Sequence, residues 1–589
     1  MHGSETSSGP HEPALERPCP AFLYHDGSAR KADFLLCAII TLAALGLRAA
    51  FVIKAGPIMS GDLERYVHIA RSLMEGRFSD YIHFHYPPLF PTLFAPLSAV
   101  LGDYEAACRV VAIIFGSLVV VPLYLLALKT HSRGAAVVAA SLYALIFFIG
   151  SREQEQVLLF FLFCSILLGL LSLEKKRAGY FITAGVCFGL SFLVKPEGWG
   201  FFLAFLVIAT GYWLFTSFRY GDPEAGAKGA KELFPGKRGL ICIALMLLAY
   251  FIITGPYLFA YYQRSGKISL NPKARSLMYI HNLRNYSLLY KIQKGPSEYF
   301  TMAQRVYQEG DDKPVSESIP YLLYKFRKRF VTVWWQRFKL SLFNNIIPKY
   351  LERIVPLLWP LLLIAGLYNR REKLAKDLYL HMFALVPLLL VPFFTSIFPR
   401  FYFSLLPWFM IFMGRGLWRM TALLSWLFAK AGAEKRRMQA FILVVLVVVG
   451  LYFSGWRTAL SRPHPFVKAD IEFRKEIAAE LKSMLPEGCR FMAELTKRSM
   501  WYLAGFHPTR QEVLPSDRLD RILVFALRKD VKLIVHHEHS RSHYRFATVD
   551  PLLRKDFSSP RLKLRLRRTS PTGKVYVIYE VVAAKCEQE

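Results

Sequence analysis

The feature that most constrains this chain is a series of continuous apolar blocks, each roughly 17–23 residues long, beginning near residue 32. A helix of that length crosses the ~30 Å hydrocarbon core of a bilayer. Helices of soluble proteins keep a polar stripe and do not need so many unbroken apolar runs. Apolar residues make up 54% of the 589 residues, which is above the globular norm. The chain is therefore predicted to be an α-helical polytopic membrane protein.

The apolar blocks predict about eleven transmembrane helices. Arg30 and Lys31 precede the first block, and no small-residue cleavage site follows it, so this block is predicted to be an uncleaved signal anchor. The polar residues before it are expected to form a cytoplasmic tail, 1–32. The predicted spans are 32–53, 106–128, 134–150, 156–173, 179–194, 198–218, 240–262, 351–369, 377–397, 401–418 and 438–456.

One further apolar block, 88–101, is short and contains or adjoins several prolines, which makes it a poor spanning helix. If it lies in the outer interface, every short basic loop falls on the side of the N-terminus, as the positive-inside rule requires. The N-terminus is then cytoplasmic and the C-terminus external, on the periplasmic side of an inner membrane. The basic loops concerned are 129–133, 174–177, 228–238, 370–376 and 419–437.

The long loop 262–349 is predicted to be external although it is basic, because long loops translocate largely regardless of their charge. Aromatic and basic residues alternate over 321–342, a composition typical of a helix lying among lipid headgroups. Such a helix could anchor the protein or capture an anionic lipid substrate. The net charge of +32 is explained by cytoplasmic loops and attraction to anionic membrane lipids, so no nucleic-acid partner is predicted.

After residue 456 the composition changes to that of a soluble domain, which divides the chain into a membrane domain, 33–456, and an external α/β domain, 457–589. Apolar periodicity predicts a helix over 469–485, a buried strand over 531–535 and a hairpin of 561–567 with 574–581. The tract of histidines at 536–539 is interpreted as a solvated loop, since it lacks the spacing of a zinc site. Cys489 and Cys586 could form a disulfide outside the membrane.

Candidate functional residues are the ionisable and polar groups that this topology places at the outer face, because such groups are costly at membrane depth. They come from several external loops that are distant in the sequence. The acidic candidates are Asp62, Glu64, Glu155 and Glu197, and the others are Arg48, His85, Tyr86, Arg152, Lys195 and Arg400.

This distribution suits transfer of a sugar from a polyprenyl phosphate, whose lipid tail lies in the bilayer while its reacting carbon lies at the interface. Inverting transfer needs a carboxylate to accept the proton of the acceptor hydroxyl, a role that Asp62 could fill. It also needs cations or a metal ion at the departing phosphate, for which Lys195 and Arg400 are candidates. Glu155 could hold the acceptor or a divalent metal ion. The competing structural interpretation is that Asp62 only begins a helix, and that Lys195, Arg400 and Arg48 snorkel to the interface.

The order of several short motifs resembles that of the GT-C glycosyltransferases, in particular the protein O-mannosyltransferase and lipid A aminoarabinose transferase group. The resemblance covers roughly residues 33–456, and it rests on the order and common sidedness of the motifs rather than on any one of them. They are Leu-Arg at 47–48, Gly-Asp-x-x-x-Tyr at 61–66, Tyr-Pro-Pro-Leu at 86–89, Ser-Arg-x-x-Glu at 151–155, Lys-Pro-Glu-Gly at 195–198 and Pro-Arg-Phe-Tyr at 399–402.

The resemblance implies a GT-C fold and an inverting enzyme that uses a polyprenyl-phosphate monosaccharide. It implies that Asp62 is the acid of the first external loop and Glu155 that of the second, with Glu153 as a competitor for the second role. The family usually has two adjacent acidic residues in the first loop. Here Leu63 follows Asp62 and Glu64 comes one place later, so the assisting carboxylate stays open.

The acceptor also stays open among a glycan, a lipid and a protein. A protein O-mannosyltransferase is the alternative within the family, although the external β-trefoil module typical of that subgroup is not evident in the sequence. A secondary transporter would have a similar number of spans. It should show repeated halves and charges near the membrane midplane, whereas the charges here are predicted at the outer ends of the helices.

The predicted topology can be tested with reporter fusions. A periplasm-dependent reporter fused after Gly102 or Ser265 should be active, whereas the same reporter after Gly221 should be inactive and a cytoplasmic reporter there active. The fusion after Gly102 decides whether 88–101 crosses the membrane. Cytoplasmic behaviour at that position would contradict the sidedness of every candidate residue that follows it.

Overall fold

The structure is a computed structural model and describes most of the chain. The described residues are 27–55, 63–82, 86–145, 153–219, 237–266, 324, 327–340, 359–367, 374–394, 399–430, 465–493, 500–507, 510–514, 519–538 and 550–582. Up to residue 430 the described part is helical, and a mixed sheet follows in the C-terminal part. A polytopic helical protein with a C-terminal α/β domain, as predicted from the sequence, is therefore confirmed.

Fifteen α-helices are described before residue 431. They are α1 (Gly27–Ala55), α2 (Leu63–Met74), α3 (Phe78–Tyr81), α4 (Leu89–Leu101), α5 (Tyr104–Leu118), α6 (Val120–Thr130), α7 (Arg133–Leu145), α8 (Glu153–Lys175), α9 (Ala178–Val194), α10 (Gly198–Arg219), α11 (Lys237–Ser265), α12 (Arg327–Leu340), α13 (Trp359–Leu367), α14 (Leu374–Phe394) and α15 (Leu406–Lys430). A 3-10 helix, Pro399–Leu405, leads into α15.

Six helical segments are long and apolar enough to cross a membrane, and each coincides with a predicted span. Two further predicted spans, 134–150 and 179–194, correspond to the shorter apolar helices α7 and α9. The predicted span 401–418 begins as a 3-10 helix and becomes α-helical only at Leu406. The span 351–369 is described only over 359–367, and 438–456 lies outside the described residues. The six segments are Lys31–Ile53, Tyr104–Thr130, Gln154–Lys175, Gly198–Thr216, Lys237–Gln263 and Leu374–Val391.

Helix α4 occupies most of the apolar block 88–101, which is predicted to lie in the outer interface rather than to cross the membrane. It has 13 residues and contains Pro96, and at 1.5 Å per residue it is only about 20 Å long. This is short of the ~30 Å of hydrocarbon that a spanning helix must cross. Helix α4 instead packs against α2 and α5, and Gly102, with a positive φ of 66°, ends it. Its length agrees with an interfacial position.

Three of the loops predicted to share one side of the membrane meet at one end of the helical bundle. The Nζ atom of Lys376 lies 3.1 Å from a carboxylate oxygen of Glu174, and that of Lys129 lies 3.6 Å from the other. Lys376 also donates a hydrogen bond to the backbone oxygen of Lys129. At the start of α1, Asp33 pairs with Arg133 of α7 at 2.6 Å. These contacts support the relative sidedness that the basic loops predict.

The C-terminal domain is a five-stranded sheet with helices on both faces. Strands β1 (Arg490–Ala493), β2 (Gln511–Val513) and β3 (Val531–His537) are parallel, and β4 (Leu562–Thr569) with β5 (Val575–Val581) form an antiparallel hairpin, in the order β2-β1-β3-β5-β4. Side chains alternate between the faces. One face packs against α16 (Pro465–Met484) and α17 (Met500–Ala504), and the other against α18 (Leu519–Arg528).

The elements predicted for this domain from the sequence are present with shifted ends. The helix begins at Pro465, four residues before the predicted start, and the hairpin turns at Gly573 with a φ of 81°. Strand β3 continues two residues beyond the predicted end because His536 and His537 pair with β5. His536 is therefore a buried strand residue rather than part of a solvated loop, and this part of the loop interpretation was wrong.

Glycines allow the backbones of α13 and α15 to touch within the membrane domain. A Cβ atom added to Gly366 would lie 1.9 Å from the backbone oxygen of Phe412. One added to Gly416 would lie 1.8 Å from the backbone oxygen of Leu362. Small residues permit such close helix approach in membranes, where dispersion contacts replace the hydrophobic driving force.

Gly416→Ala should therefore destabilise the membrane domain, because the new methyl group would force α13 and α15 apart. Gly211→Ala in α10 is the matched control, since a Cβ atom there has no neighbour within 4 Å and alanine is the better helix former by about 1 kcal/mol. Thermal unfolding in detergent should show a lower midpoint for Gly416→Ala and an equal or higher midpoint for Gly211→Ala. Equal midpoints for the two variants would contradict the backbone contact.

Candidate functional site

One cluster of buried apolar side chains brings together the ends of the helices that carry the sequence-predicted site residues. It includes Leu63 at the start of α2, Val157 in the first turns of α8 and Val194 at the end of α9, together with residues of α4 and α5. We call this cluster the outer core. Val194 directly precedes Lys195, and Leu63 directly follows Asp62. Asp62 itself lies outside the described residues.

Three predicted residues meet beside the outer core. The Nζ atom of Lys195 lies 3.3 Å from Oε1 of Glu197 and 3.8 Å from Oε1 of Glu155. The side chains of Lys195 and Glu155 are each only 10% exposed. Charges in such a position interact more strongly than they would in water, because the effective dielectric constant is lower. Lys195 thus supplies a buried cation whose partners are two carboxylates from separate parts of the chain.

The local sequence explains why Lys195 projects from the end of α9. A residue before proline is disfavoured in the α region, and Lys195, which precedes Pro196, is extended with φ −154° and ψ 132°. The chain then turns directly into α10 at Gly198, where a Cβ atom would lie 2.6 Å from the backbone nitrogen of Phe192. On the neighbouring helix, the amide of Gln154 donates a hydrogen bond to the backbone oxygen of Val194 at 2.9 Å. This bond holds the start of α8, and with it Glu155, next to the turn.

Arg48 is also near this end of the bundle, but it is 1% exposed and packed among helices. Its guanidinium carbon lies 5.2 Å from the ring centroid of Tyr143, and the hydroxyl of Tyr143 donates to Oε1 of Gln156. A Cβ atom on Gly116 would lie 3.1 Å from Nε of Arg48 and 2.6 Å from Oε1 of Gln156. The arginine therefore links α1 to α7 and α8, one residue from Glu155.

Of the remaining predicted residues, only Glu64 and Tyr86 have side chains that the structure describes. Glu64 is 2% exposed in the first turn of α2, and Tyr86 packs edge-on against Tyr66 with ring centroids 5.1 Å apart. Arg400 belongs to the 3-10 helix before α15, but its side chain is not among those described. Outside the described residues lie His85 and Arg152, together with the side chain of Glu153.

The C-terminal domain contacts the first external segment, which sequence reasoning did not foresee. The hydroxyl of Tyr502 in α17 donates to Oε1 of Glu105 at the start of α5, at 2.9 Å. The neighbouring Trp501 ring lies 5.5 Å from the guanidinium carbon of Arg65 and 5.9 Å from the ring of His68, both on α2. The adjacent aromatic residues Trp501 and Tyr502 are visible in the sequence, but no sequence pattern indicates which residues they contact.

Burial is the largest effect on the Tyr502 phenol and raises its pKa. The carboxylates of Glu105 and Glu64 raise it further, and only Arg71 opposes them. The hydroxyl therefore remains a hydrogen-bond donor over the whole pH range in which the protein would work.

Metal ligation was left open by the sequence. Within the described part of the chain, no group of three or more His, Cys, Asp or Glu side chains is placed to hold a metal ion. Glu155, which the sequence offers as a metal ligand, is in that part, whereas Asp62 and the side chain of Glu153 are not.

Comparison with known proteins identifies this architecture. Residues 85–221 match the family model described as dolichyl-phosphate-mannose-protein mannosyltransferase. A search of curated proteins found no match. Several solved structures share the overall fold.

The oligosaccharyltransferase of Archaeoglobus fulgidus, tethered to an acceptor peptide, aligns with a TM-score of 0.55 at 13% identity, over 95% of this chain and 74% of that one. The AglB oligosaccharyltransferase of the same organism, with an inhibitory peptide and dolichol-phosphate, gives 0.54 at 13% identity, over 87% and 70%. ArnT from Cupriavidus metallidurans, bound to undecaprenyl phosphate, gives 0.51 at 13% identity, over 95% and 100%. The chain is thus a multi-pass membrane protein with the GT-C fold, and it resembles the GT-C glycosyltransferases, as its motifs predict.

Proposed function

We propose that this protein is an inverting glycosyltransferase that moves a monosaccharide from a polyprenyl-phosphate donor to a glycan, lipid or protein acceptor at the outer face of the inner membrane. The observation that carries the proposal is the buried Lys195 cation, held between Glu155 and Glu197 at the end of the bundle where α2 also packs. The partial family match supports the reaction class, and the fold is one in which solved structures hold dolichol-phosphate or undecaprenyl phosphate.

Lys195 is suited to bind the phosphate of the donor. As the glycosidic bond breaks, negative charge accumulates on the departing phosphate, and a fixed cation in a partly dry site stabilises that charge. The ammonium group has three donors, so it can turn from a carboxylate to a phosphate oxygen without leaving its site. Arg400 would add a planar, two-pronged donor to the same phosphate.

Asp62 is the proposed general base, one residue before α2 begins. A carboxylate in this position would accept the proton of the acceptor hydroxyl as that oxygen attacks the anomeric carbon from the side opposite the phosphate. Glu64 and Glu155 are the alternative bases. Glu155 already pairs with Lys195, which favours a role in arranging the phosphate site or holding the acceptor.

Two further observations support the proposed orientation in the membrane. The C-terminal domain contacts α2 and α5, at the end of the bundle opposite to the basic loops around Glu174. Within this domain Cys489 is disulfide-bonded, although Cys586, its predicted partner, lies outside the described residues. Disulfides persist in oxidising compartments such as the periplasm. We therefore place the domain, 457–589, in the periplasm and the tail 1–32 in the cytoplasm.

The match of 85–221 to the family model described as dolichyl-phosphate-mannose-protein mannosyltransferase favours a protein O-mannosyltransferase as the second candidate within the same reaction class. The position of the ionisable residues argues against the other alternative, a secondary transporter. Transporters place coupling charges near the midplane between repeated halves, whereas Lys195 and Glu155 lie at helix ends beside the outer core.

Asp62→Asn should lower turnover by at least ~10², the usual contribution of a positioned base. The matched control is Asp103→Asn, the same change at the N-cap of α5 in the same external region, where asparagine caps as well as aspartate. Both variants are to be purified and assayed for transfer from a polyprenyl-phosphate sugar. Near-parental turnover of Asp62→Asn would assign the base to Glu64 or Glu155 instead.

Lys195→Met should raise the KM for the lipid-phosphate donor and lower kcat, while the preference among acceptors stays unchanged. Lys376→Met is the matched control, because Lys376 is also ion-paired but lies at the opposite end of the bundle. Donor saturation kinetics in nanodiscs, with the acceptor concentration held constant, give the KM for the donor and the kcat of both variants. If Lys195→Met binds and turns over donor like the parent protein, Lys195 is only an interfacial anchor.

A further inference from the structure

Helix α2 packs between the rest of the membrane domain and the C-terminal domain. Its residues Leu63, Tyr66, Val67 and Ala70 pack into the outer core, and this spacing of three and four places them on one face of the helix. Arg65 and His68, also three apart, instead face the C-terminal domain at Trp501. The membrane domain therefore fixes one face of the helix, and the C-terminal domain fixes another.

The contact with the C-terminal domain involves buried and directional interactions. Trp501 is 4% exposed, and His68 of α2 also contacts His507, with ring centroids 5.0 Å apart. Beside it, Tyr502 joins the outer core and donates its hydroxyl to Glu105. Glu105 in turn pairs with Arg109 at 3.2 Å, so the acceptor carboxylate is itself held in place.

Helix α2 needs such support because it has only 12 residues. Isolated helices shorter than ~12–15 residues are marginal in water, and packing supplies most of their stability. The residue directly before this helix is Asp62, the proposed base. A small rotation or shift of α2 would move that residue, and a misplacement of about 1 Å can cost ~10²-fold in rate.

We propose that Trp501 and Tyr502 are positioning residues for the transfer reaction: by docking on α2 and α5 they hold the base-carrying start of α2 in its productive place. The C-terminal domain thereby contributes to catalysis through the position of α2. This inference rests on the proposed function and on the assignment of the base to the start of α2.

The test uses the full-length protein with Tyr502→Phe, which removes one hydroxyl and keeps the buried ring. Loss of this hydrogen bond should lower kcat about three- to tenfold, the kinetic equivalent of a net hydrogen bond, with the donor KM unchanged. Tyr579→Phe is the matched control, because it removes a tyrosine hydrogen bond, to the backbone oxygen of Leu552, inside the same domain and away from α2. Tyr579→Phe should leave kcat at the parental level even if it lowers thermal stability.

Trp501→Ala should lower kcat further, by an amount approaching ~10²-fold, and Trp501→Phe should restore part of the loss. Hydrogen exchange followed by mass spectrometry should show faster exchange of the α2 amides in Trp501→Ala and in Tyr502→Phe, but not in Tyr579→Phe. A double variant of Tyr502→Phe with Glu105→Ala should be no slower than the worse single variant, because both changes break one interaction.

Two outcomes would overturn the inference. One is a parental kcat in both Tyr502→Phe and Trp501→Ala. The other is a loss of kcat in Tyr579→Phe equal to that in Tyr502→Phe, which would show only general destabilisation of the domain. A failure of the proposed function looks different, since the parent protein would then transfer no sugar from any polyprenyl-phosphate donor. In that case, faster amide hydrogen exchange of α2 in the Trp501 and Tyr502 variants would still show that these two residues support the helix.

Discussion

The absence of water from the hydrocarbon core is the constraint on which this structure depends. Every backbone polar group there must be satisfied within the protein, so the membrane part is built from helices. Charged side chains are displaced towards the helix ends, where the bundle has two chemically distinct sets of contacts. At one end Glu174 is paired with lysines, and at the other Lys195 is paired with glutamates. The second arrangement leaves a cation at the end of the bundle where binding of the donor phosphate is proposed.

The outer core brings segments from separate loops together at one site. Leu63, Val157 and Val194 come from three distant parts of the sequence and pack in one apolar cluster, to which Tyr502 of the C-terminal domain is added. Burial of apolar side chains is roughly proportional in strength to the area removed from water and has no preferred direction. It can assemble the segments, but it cannot orient them. Orientation comes from directional contacts, such as the Gln154 amide on the end of α9 and the Tyr502 hydroxyl on Glu105.

Sequence reasoning succeeded where the physical signal is local. The apolar blocks located the helices, including the break between 194 and 198, and the alternating pattern of 561–567 and 574–581 predicted the hairpin. Sequence reasoning was wrong at His536, because pairing with β5 extends the strand and no local pattern reveals a cross-strand partner. It also missed the docking of Trp501, a contact between residues more than four hundred positions apart. The role of Asp62 remains a prediction, since that residue is not among those described.

The direct backbone contact of α13 and α15 has a consequence for how a long lipid could reach the site. Helices separated by side chains can part slightly when those side chains change rotamer, and a prenyl tail can then slide between them. Where Gly366 and Gly416 let the main chains touch, there is no side chain between the two helices to rearrange. For the proposed polyprenyl donor, this contact predicts that the lipid tail enters between a different pair of helices.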